Sequence, residues 1–344
     1  MTAITRTLLE RLPKAELHCH LDGSVRPATL LELGRDYGVR MPCDDAESMR
    51  EYMIVRDARS LEDYLTRFDV TLSVMQHADA IERIAYELAT DAAREGVLYL
   101  ETRFAPCLND RAGMEWGGVL EASLRGLARA EREHGILGRV IVCSLRHLSP
   151  EMSLELARLA VAYRDRGVVA FDLAGGEAGH PAAPHAAAFE HARRHGLHCT
   201  CHAGEGAGAS SVAEAVHLCH AERIGHATRL IEDAALTDEV QDEGIALEIC
   251  LTSNVQTHAT GSYESHPLRR YMERGMRVVL NTDNRLMSGV TLVDEYDVAA
   301  RTFGLDFDEL AGLALNGFDA AFLPEADRAA LRATAAARIE ALRR

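Results

Sequence analysis

Eight short apolar, β-branched runs recur along this chain, each followed by a polar or glycine-containing turn and then a longer helix-like stretch. The runs are Ala15–His20, Val97–Phe104, Arg139–Leu145, Val168–Leu173, Leu197–His202, Arg223–His226, Ile245–Cys250 and Met276–Asp283. Between them lie segments rich in Ala, Leu, Glu and Arg, among them Ile81–Glu95, Val119–His134, Ser153–Arg166 and Ser211–His220. Strands that alternate with helices imply a parallel sheet, and eight such units imply closure into an α/β (β/α)8 TIM barrel. An open doubly wound sheet is the poorer reading, because no run leads into a Gly-x-Gly-x-x-Gly phosphate turn.

The spacing is uneven after the first run. The interval from His20 to Val97 is far longer than one crossover helix needs, so extra helices are expected there, over one mouth of the barrel. The segment from Leu305 to Arg344 is rich in Ala, Leu and Arg and reads as closing helices. No low-complexity linker divides the 344 residues, and a single domain over 1–344 is expected. Lys and Arg number 37 against 53 Asp and Glu, a formal charge of −16. That balance repels phosphate backbones and anionic membrane surfaces, so neither nucleic acid nor a membrane is an expected partner. Met1 to Arg11 contains no apolar run long enough for a secretory leader, and no window is long enough to cross a bilayer. The eight cysteines are scattered without a Cys-x-x-Cys pair, and Cys143, Cys199, Cys201 and Cys250 fall inside strand-like runs. Buried reduced thiols and a cytoplasmic setting are the expectation.

In a barrel of this kind chemistry belongs at the C-terminal ends of the strands, and the unusual residues collect there. The first run ends in His18-Cys19-His20, the fifth in His202-Ala203-Gly204-Glu205, the sixth in Gly225-His226 and the eighth in Asn281-Thr282-Asp283-Asn284. Side chains alternate along a strand, so His18 and His20 share a face that Cys19 does not. Taken alone, that pair fits either half of a metal site or two satisfied core histidines. Closure brings the eighth strand beside the first, so Asp283 can approach the same point, with His202 reaching it from across the barrel. Three imidazoles and a carboxylate suit zinc with room left for a water, and four buried polar groups at strand ends are costly as packing. His191, His195 and His198, and likewise His217, Cys219 and His220, read as solvated helix faces. Cys199 and Cys201 alternate with His202 and should face the surrounding helices.

The segment Leu12-Pro13-Lys14-Ala15-Glu16-Leu17-His18-Cys19-His20-Leu21-Asp22-Gly23 resembles the opening motif of the adenosine deaminase family, in the metal-dependent amidohydrolase superfamily. The likeness continues, in order, through Asp172-Leu173-Ala174-Gly175, His202-Ala203-Gly204-Glu205, Ile224-Gly225-His226 and Asn281-Thr282-Asp283. Flanking segments share it: Ser60 to Phe68, Arg146-His147 and Phe322-Leu323-Pro324-Glu325. The resemblance implies one zinc ion per chain, held by His18, His20, His202 and Asp283. It implies that Glu205 protonates purine N1, and that His226 deprotonates or orients the attacking water. By the same likeness Gly175 offers its backbone N–H to purine N3, and Asp22 meets the ribose 5′-hydroxyl. Leu61, Tyr64, Leu65 and Phe68 correspond to an apolar helix that lids the base, and Leu61, Leu65 and Phe68 are spaced for one helical face.

The chain departs from the family pattern in three places. Asn284 stands where a second aspartate is common, Gly176 precedes Glu177 where aspartate is common, and Ala227 follows His226 where glycine is common. Asparagine carries N–H donors at any pH, so Asn284 is suited to donate to purine N7 without the raised pKa an aspartate would need. The expected substrate is a small 6-aminopurine nucleoside, adenosine or deoxyadenosine. The alternatives are an adenine or aminodeoxyfutalosine deaminase or another hydrolase on the same scaffold, and a non-catalytic binder. A binder needs neither Glu205 nor His226.

Overall fold

A computed structural model describes residues 4–56 and 61–343. It contains eight strands: β1 (Lys14–His20), β2 (Val97–Phe104), β3 (Leu137–Leu145), β4 (Val168–Ala174), β5 (His198–Ala203), β6 (Arg223–His226), β7 (Ala246–Ile249) and β8 (Val278–Leu280). They pair in sequence order, each parallel to the next. Helices separate them, and the architecture is the (β/α)8 TIM barrel expected from the alternation of runs. Each of the eight runs contains or overlaps one strand. Parallel strands in a barrel are covered on both faces, and β1, β4 and β6 to β8 are buried almost throughout, although β1 and β6 carry Lys14, Glu16, His18, His20, Arg223 and His226 into that interior.

The eighth strand is shorter than its run. Beyond Leu280 the main chain keeps one bond to β7, Asn281 N to Ile249 O (2.8 Å), while on the β1 side it gives way to side-chain pairing. Asn281 Oδ1 accepts from Leu17 N (2.7 Å) and His18 N (3.1 Å), while its Nδ2 donates to Val279 O (3.1 Å). The seam with β1 is then closed by Asp283 itself, whose N–H donates to His18 O (3.0 Å) and whose carbonyl accepts from His20 N (2.7 Å). Asp283 adopts a left-handed conformation, φ 60°, as do His226 at 64° and Ala227 at 51°. Such backbone is costly for residues with a Cβ, and here it turns two polar side chains toward one point.

Among the described residues the long interval after β1 holds five helices: Pro27–Tyr37, Ala46–Met53, Leu61–Leu65, Phe68–Val74 and Ala78–Arg94. The expected single lid helix is broken. Beyond Leu65 the chain turns through Arg67 N to Tyr64 O (3.4 Å), and Phe68–Val74 then starts afresh from Arg67, with Val70 N donating to Arg67 O (3.2 Å) in its first turn. Ser60 lies outside the described residues. At the opposite end of the barrel, Phe322 N donates to Glu101 Oε1 (2.7 Å) and the Arg223 guanidinium lies 3.5 Å from the Phe322 ring centre. The closing helices are Phe307–Asp319 and Glu325–Leu342. Among the described residues no helix is long and apolar enough to cross a membrane. All eight cysteines are free thiols, and Cys143, Cys199, Cys201 and Cys250 are buried.

Candidate active site

The C-terminal ends of β1, β5, β6 and β8 deliver their polar residues to one buried locus. His18, His202, His226 and Asp283 each bring one potential ligand atom within 4.8 Å of the others. His20 joins them: its Nε2 lies 3.1 Å from His202 Nε2 and 3.3 Å from Asp283 Oδ1. His18 Nε2 is also 3.3 Å from Asp283 Oδ1, yet it is buried with no hydrogen-bond partner among the described residues. Gly225 makes room for this crowding, since a Cβ there would come within 2.9 Å of His18 Cε1.

Two imidazoles have fixed tautomers. His18 Nδ1 pairs with Glu248 Oε2 (2.8 Å) and His202 Nδ1 with Asp172 Oδ2 (3.1 Å), so each carries its proton on Nδ1 and turns an Nε2 lone pair inward. The two carboxylates are held ionised. Burial alone would raise Asp172, but His202 and Arg103 hold it well below the usual carboxylate range, and Arg103 and Arg223 do the same for Glu248. Arg103 bridges them, donating to Asp172 Oδ2 (3.1 Å) and Glu248 Oε2 (2.8 Å), while Arg223 Nε donates to Glu248 Oε1 (2.6 Å). Sequence reasoning passed over Arg103, Arg223 and Glu248. The available signal was clearest for Glu248, a lone charge in the otherwise apolar run Ile245–Cys250; Arg103 shares its run with Glu101 and Thr102, and Arg223 opens its own.

His226 is held differently. The Leu268 backbone N–H donates to His266 Nδ1 (3.1 Å), which leaves the single proton of His266 on Nε2. Burial pushes His266 down to about 3, so it stays neutral. His266 Nε2 then donates to Asn254 Oδ1 (3.2 Å), and Asn254 Nδ2 donates to His226 Nδ1 (2.9 Å). A backbone N–H can only donate, so the whole chain has one direction and puts the His226 proton on Nε2. That atom lies 3.4 Å from Glu205 Oε2, and Thr257 Oγ1 donates to Glu205 Oε1 (2.9 Å). Asp283 Oδ2 accepts from Ser253 Oγ (2.7 Å).

A cavity of about 260 Å³ opens beside His20, lined also by Asp22, Leu65, Phe68, Phe104 and Gly175. Asp22 Oδ1 is buried without a partner among the described residues, and burial pushes this carboxyl up to about 7. The remaining expected substrate residues sit off this wall. Leu61 packs toward Gly206, where a Cβ would come within 3.3 Å of Leu61 Cδ2. Tyr64 is buried, with its hydroxyl 3.0 Å from Ser288 Oγ and within hydrogen-bonding reach of Asn284. Asn284 Oδ1 is pressed on Gly23, where a Cβ would collide with it at 1.8 Å. The split does not follow the break in the lid: Leu65 and Phe68 flank the break and both line the cavity, whereas Leu61 and Tyr64 share a helix with Leu65 and face away from it. His195, His217 and His220 are exposed, but the helix-face reading fails for two of the six residues: His198 lies on β5, and Cys219, just past the helix Ala209–His217, is buried. Cys199 Sγ points to Phe189 O (3.9 Å) on a flanking helix.

Comparison with known proteins accords with this geometry. The adenosine deaminase family profile matches residues 13–337. The chain belongs to that family. It is 38% identical to an adenosine deaminase of Clostridium perfringens over 92% of this chain and 96% of the relative. It is 41% identical to a probable adenosine deaminase of Dictyostelium discoideum over 93% of this chain, though it spans only 42% of that longer protein. Among solved structures, an adenine deaminase from Arthrobacter aurescens superposes with a TM-score of 0.89 at 26% identity, over 95% of this chain and 99% of that one.

Proposed function

We propose that this protein hydrolytically deaminates adenosine and deoxyadenosine to inosine and deoxyinosine, releasing ammonia. One observation carries the reading: a buried carboxyl, Glu205, and an imidazole with its proton on Nε2, His226, stand beside converging His and Asp side chains. The donor set fits a single zinc ion. The unpartnered His18 Nε2 and the inward Nε2 of His202, with His20 Nε2 only 3.1 Å from the latter, are donor atoms a cation would satisfy. Because His226 carries its proton on Nε2 and commits Nδ1 to Asn254, the set that holds the ion is His18, His20, His202 and Asp283. When bound, such an ion acts as a Lewis acid that makes water acidic near neutral pH.

The chain's own groups do the rest. Glu205 hands a proton to purine N1 as attack at C6 breaks the ring's aromaticity. His226 Nε2–H orients the attacking water as a donor, while the Asp283 carboxylate accepts the proton that water gives up and returns it to the amino group as it leaves as ammonia. Gly175 N–H meets N3, and Asp22 accepts the ribose 5′-hydroxyl, giving its unpartnered oxygen a partner. Asn284 Nδ2 donates to N7, exchanging Tyr64 for the base. Leu65 and Phe68 cover the base and exclude water, which strengthens every polar contact beneath them. Free adenine, which the Arthrobacter neighbour is named for, leaves Asp22 unpaired and is the poorer substrate here. The free thiols fit a reduced cytoplasmic setting.

Ammonia release from adenosine, deoxyadenosine, adenine, aminodeoxyfutalosine and 7-deazaadenosine tests the reading. Turnover of none of them would leave a binding protein. Preference for adenine or aminodeoxyfutalosine would replace the substrate, and equal use of the 7-deaza analogue would remove Asn284 from base recognition.

A further inference from the structure

Glu177 lies in the loop after β4, outside the cavity, and is buried. Its carboxylate accepts from four successive backbone N–H groups: Gly204 N to Oε1 (2.8 Å), and Glu205 N (2.9 Å), Gly206 N (2.6 Å) and Ala207 N (3.1 Å) to Oε2. These residues form the turn that leaves β5 and carries Glu205. Burying a carboxylate is costly, and each buried N–H needs an acceptor, so the turn and the carboxylate satisfy one another in this conformation. The turn is also pressed from both sides. A Cβ on Gly206 would sit 3.2 Å from Glu177 Cβ and 3.3 Å from Leu61 Cδ2.

We infer that Glu177 is a positioning residue for Glu205, fixing the backbone from which its carboxyl reaches purine N1. The Glu205 side chain is held at its far end by Thr257, and Glu177 holds its near end through the main chain. Misplacing a reacting group by about 1 Å can cost roughly a hundredfold in rate, so a turn pinned at four points has a kinetic purpose as well as a structural one. A glutamine at 177 keeps the shape but replaces one acceptor oxygen with an NH2 group that faces backbone donors.

The inference rests on the reading of Glu205 as the proton donor, and a double-mutant cycle separates the two. Glu177→Gln is expected to lower kcat by about 10- to 100-fold, with KM within about threefold and metal content unchanged, as supporting residues of preorganised sites do. In a Glu205→Gln background the same change should cost less than about twofold, because the group it positions has gone. Equal loss in both backgrounds, or no loss in the first, overturns the role of Glu177 while leaving Glu205 intact. Full activity of Glu205→Gln alone overturns the underlying reading instead. Glu177→Asp, which keeps the charge and shortens the arm, is taken through the same cycle if the glutamine variant fails to fold.

Discussion

Asn254 Nδ2 donates to His226 Nδ1 at 2.9 Å, and through it a backbone N–H some distance away dictates which nitrogen of His226 carries the proton. Asn254→Ala frees the ring to take the other tautomer. The expected result is a kcat lower by roughly 10- to 100-fold, in line with groups that orient a catalytic imidazole, with zinc content intact. His266→Ala should shift kcat in the same direction by less. Steady-state kinetics with metal analysis checks both, and wild-type kcat in Asn254→Ala would refute the tautomer argument.

Glu205→Gln should reduce turnover by roughly two or more orders of magnitude, the usual contribution of a positioned proton donor. Zinc should remain stoichiometric, since neither Glu205 oxygen lies among the converging ligand atoms. Loss of metal in this variant would show that Glu205 belongs to the metal's own ligands.

Purified protein should contain one zinc per chain, and His202→Ala should lose it. Asp172→Asn and Glu248→Gln remove the partners that hold His202 and His18 in the Nδ1–H tautomer, so each should weaken zinc affinity by roughly 10- to 100-fold. Competition with a chelator reads the affinity. Tight metal in all three variants would mean the ion sits elsewhere.

The division between what the sequence showed and what it concealed follows the kind of interaction involved. His18 and His20 were legible from strand alternation, and barrel closure placed His202 and Asp283 near them, although Asp283 lies beyond β8 and is aimed by left-handed backbone that no alternation rule records. The supporting charges were not legible. Arg103 meets Glu248 and Asp172 across the barrel interior, a juxtaposition that depends on register between strands far apart in sequence. Nor was the break after Leu65, because helical spacing across Leu61, Leu65 and Phe68 is the same whether the helix continues or turns. The early end of β8 belongs with these cases: toward β1, Asn281 substitutes its side chain for main-chain pairing, which no apolar pattern records.

Adenosine and deoxyadenosine should exceed adenine in kcat/KM, and Asp22 is the residue that decides it. Asp22→Ala should lower kcat/KM for adenosine by roughly 10- to 100-fold, the value of a hydrogen bond to a charged group, while leaving adenine nearly unchanged. An equal effect on both substrates would place Asp22 in the folding of the turn after β1 rather than in ribose recognition.

Glu295 offers a pH test of stability that leaves the chemistry alone. It is buried, accepts from Thr252 N at 3.2 Å, and burial pushes its carboxyl up to about 8 against an ordinary value of 4.5. Between those two values the folded chain holds a proton that the unfolded chain has released. Stability from this group is therefore fully present below about pH 4.5 and falls as pH rises toward 8. Glu295→Gln preserves an acceptor for Thr252 and cannot ionise. Its melting temperature should match the wild type near pH 5 and exceed it by roughly 1–3 °C near pH 8.5, the shift that one or two kcal/mol produces in a protein of this size. Thermal unfolding across that range decides the matter: parallel curves for the two proteins would mean that Glu295 stays ionised in the fold and that its backbone contact suffices to hold the charge.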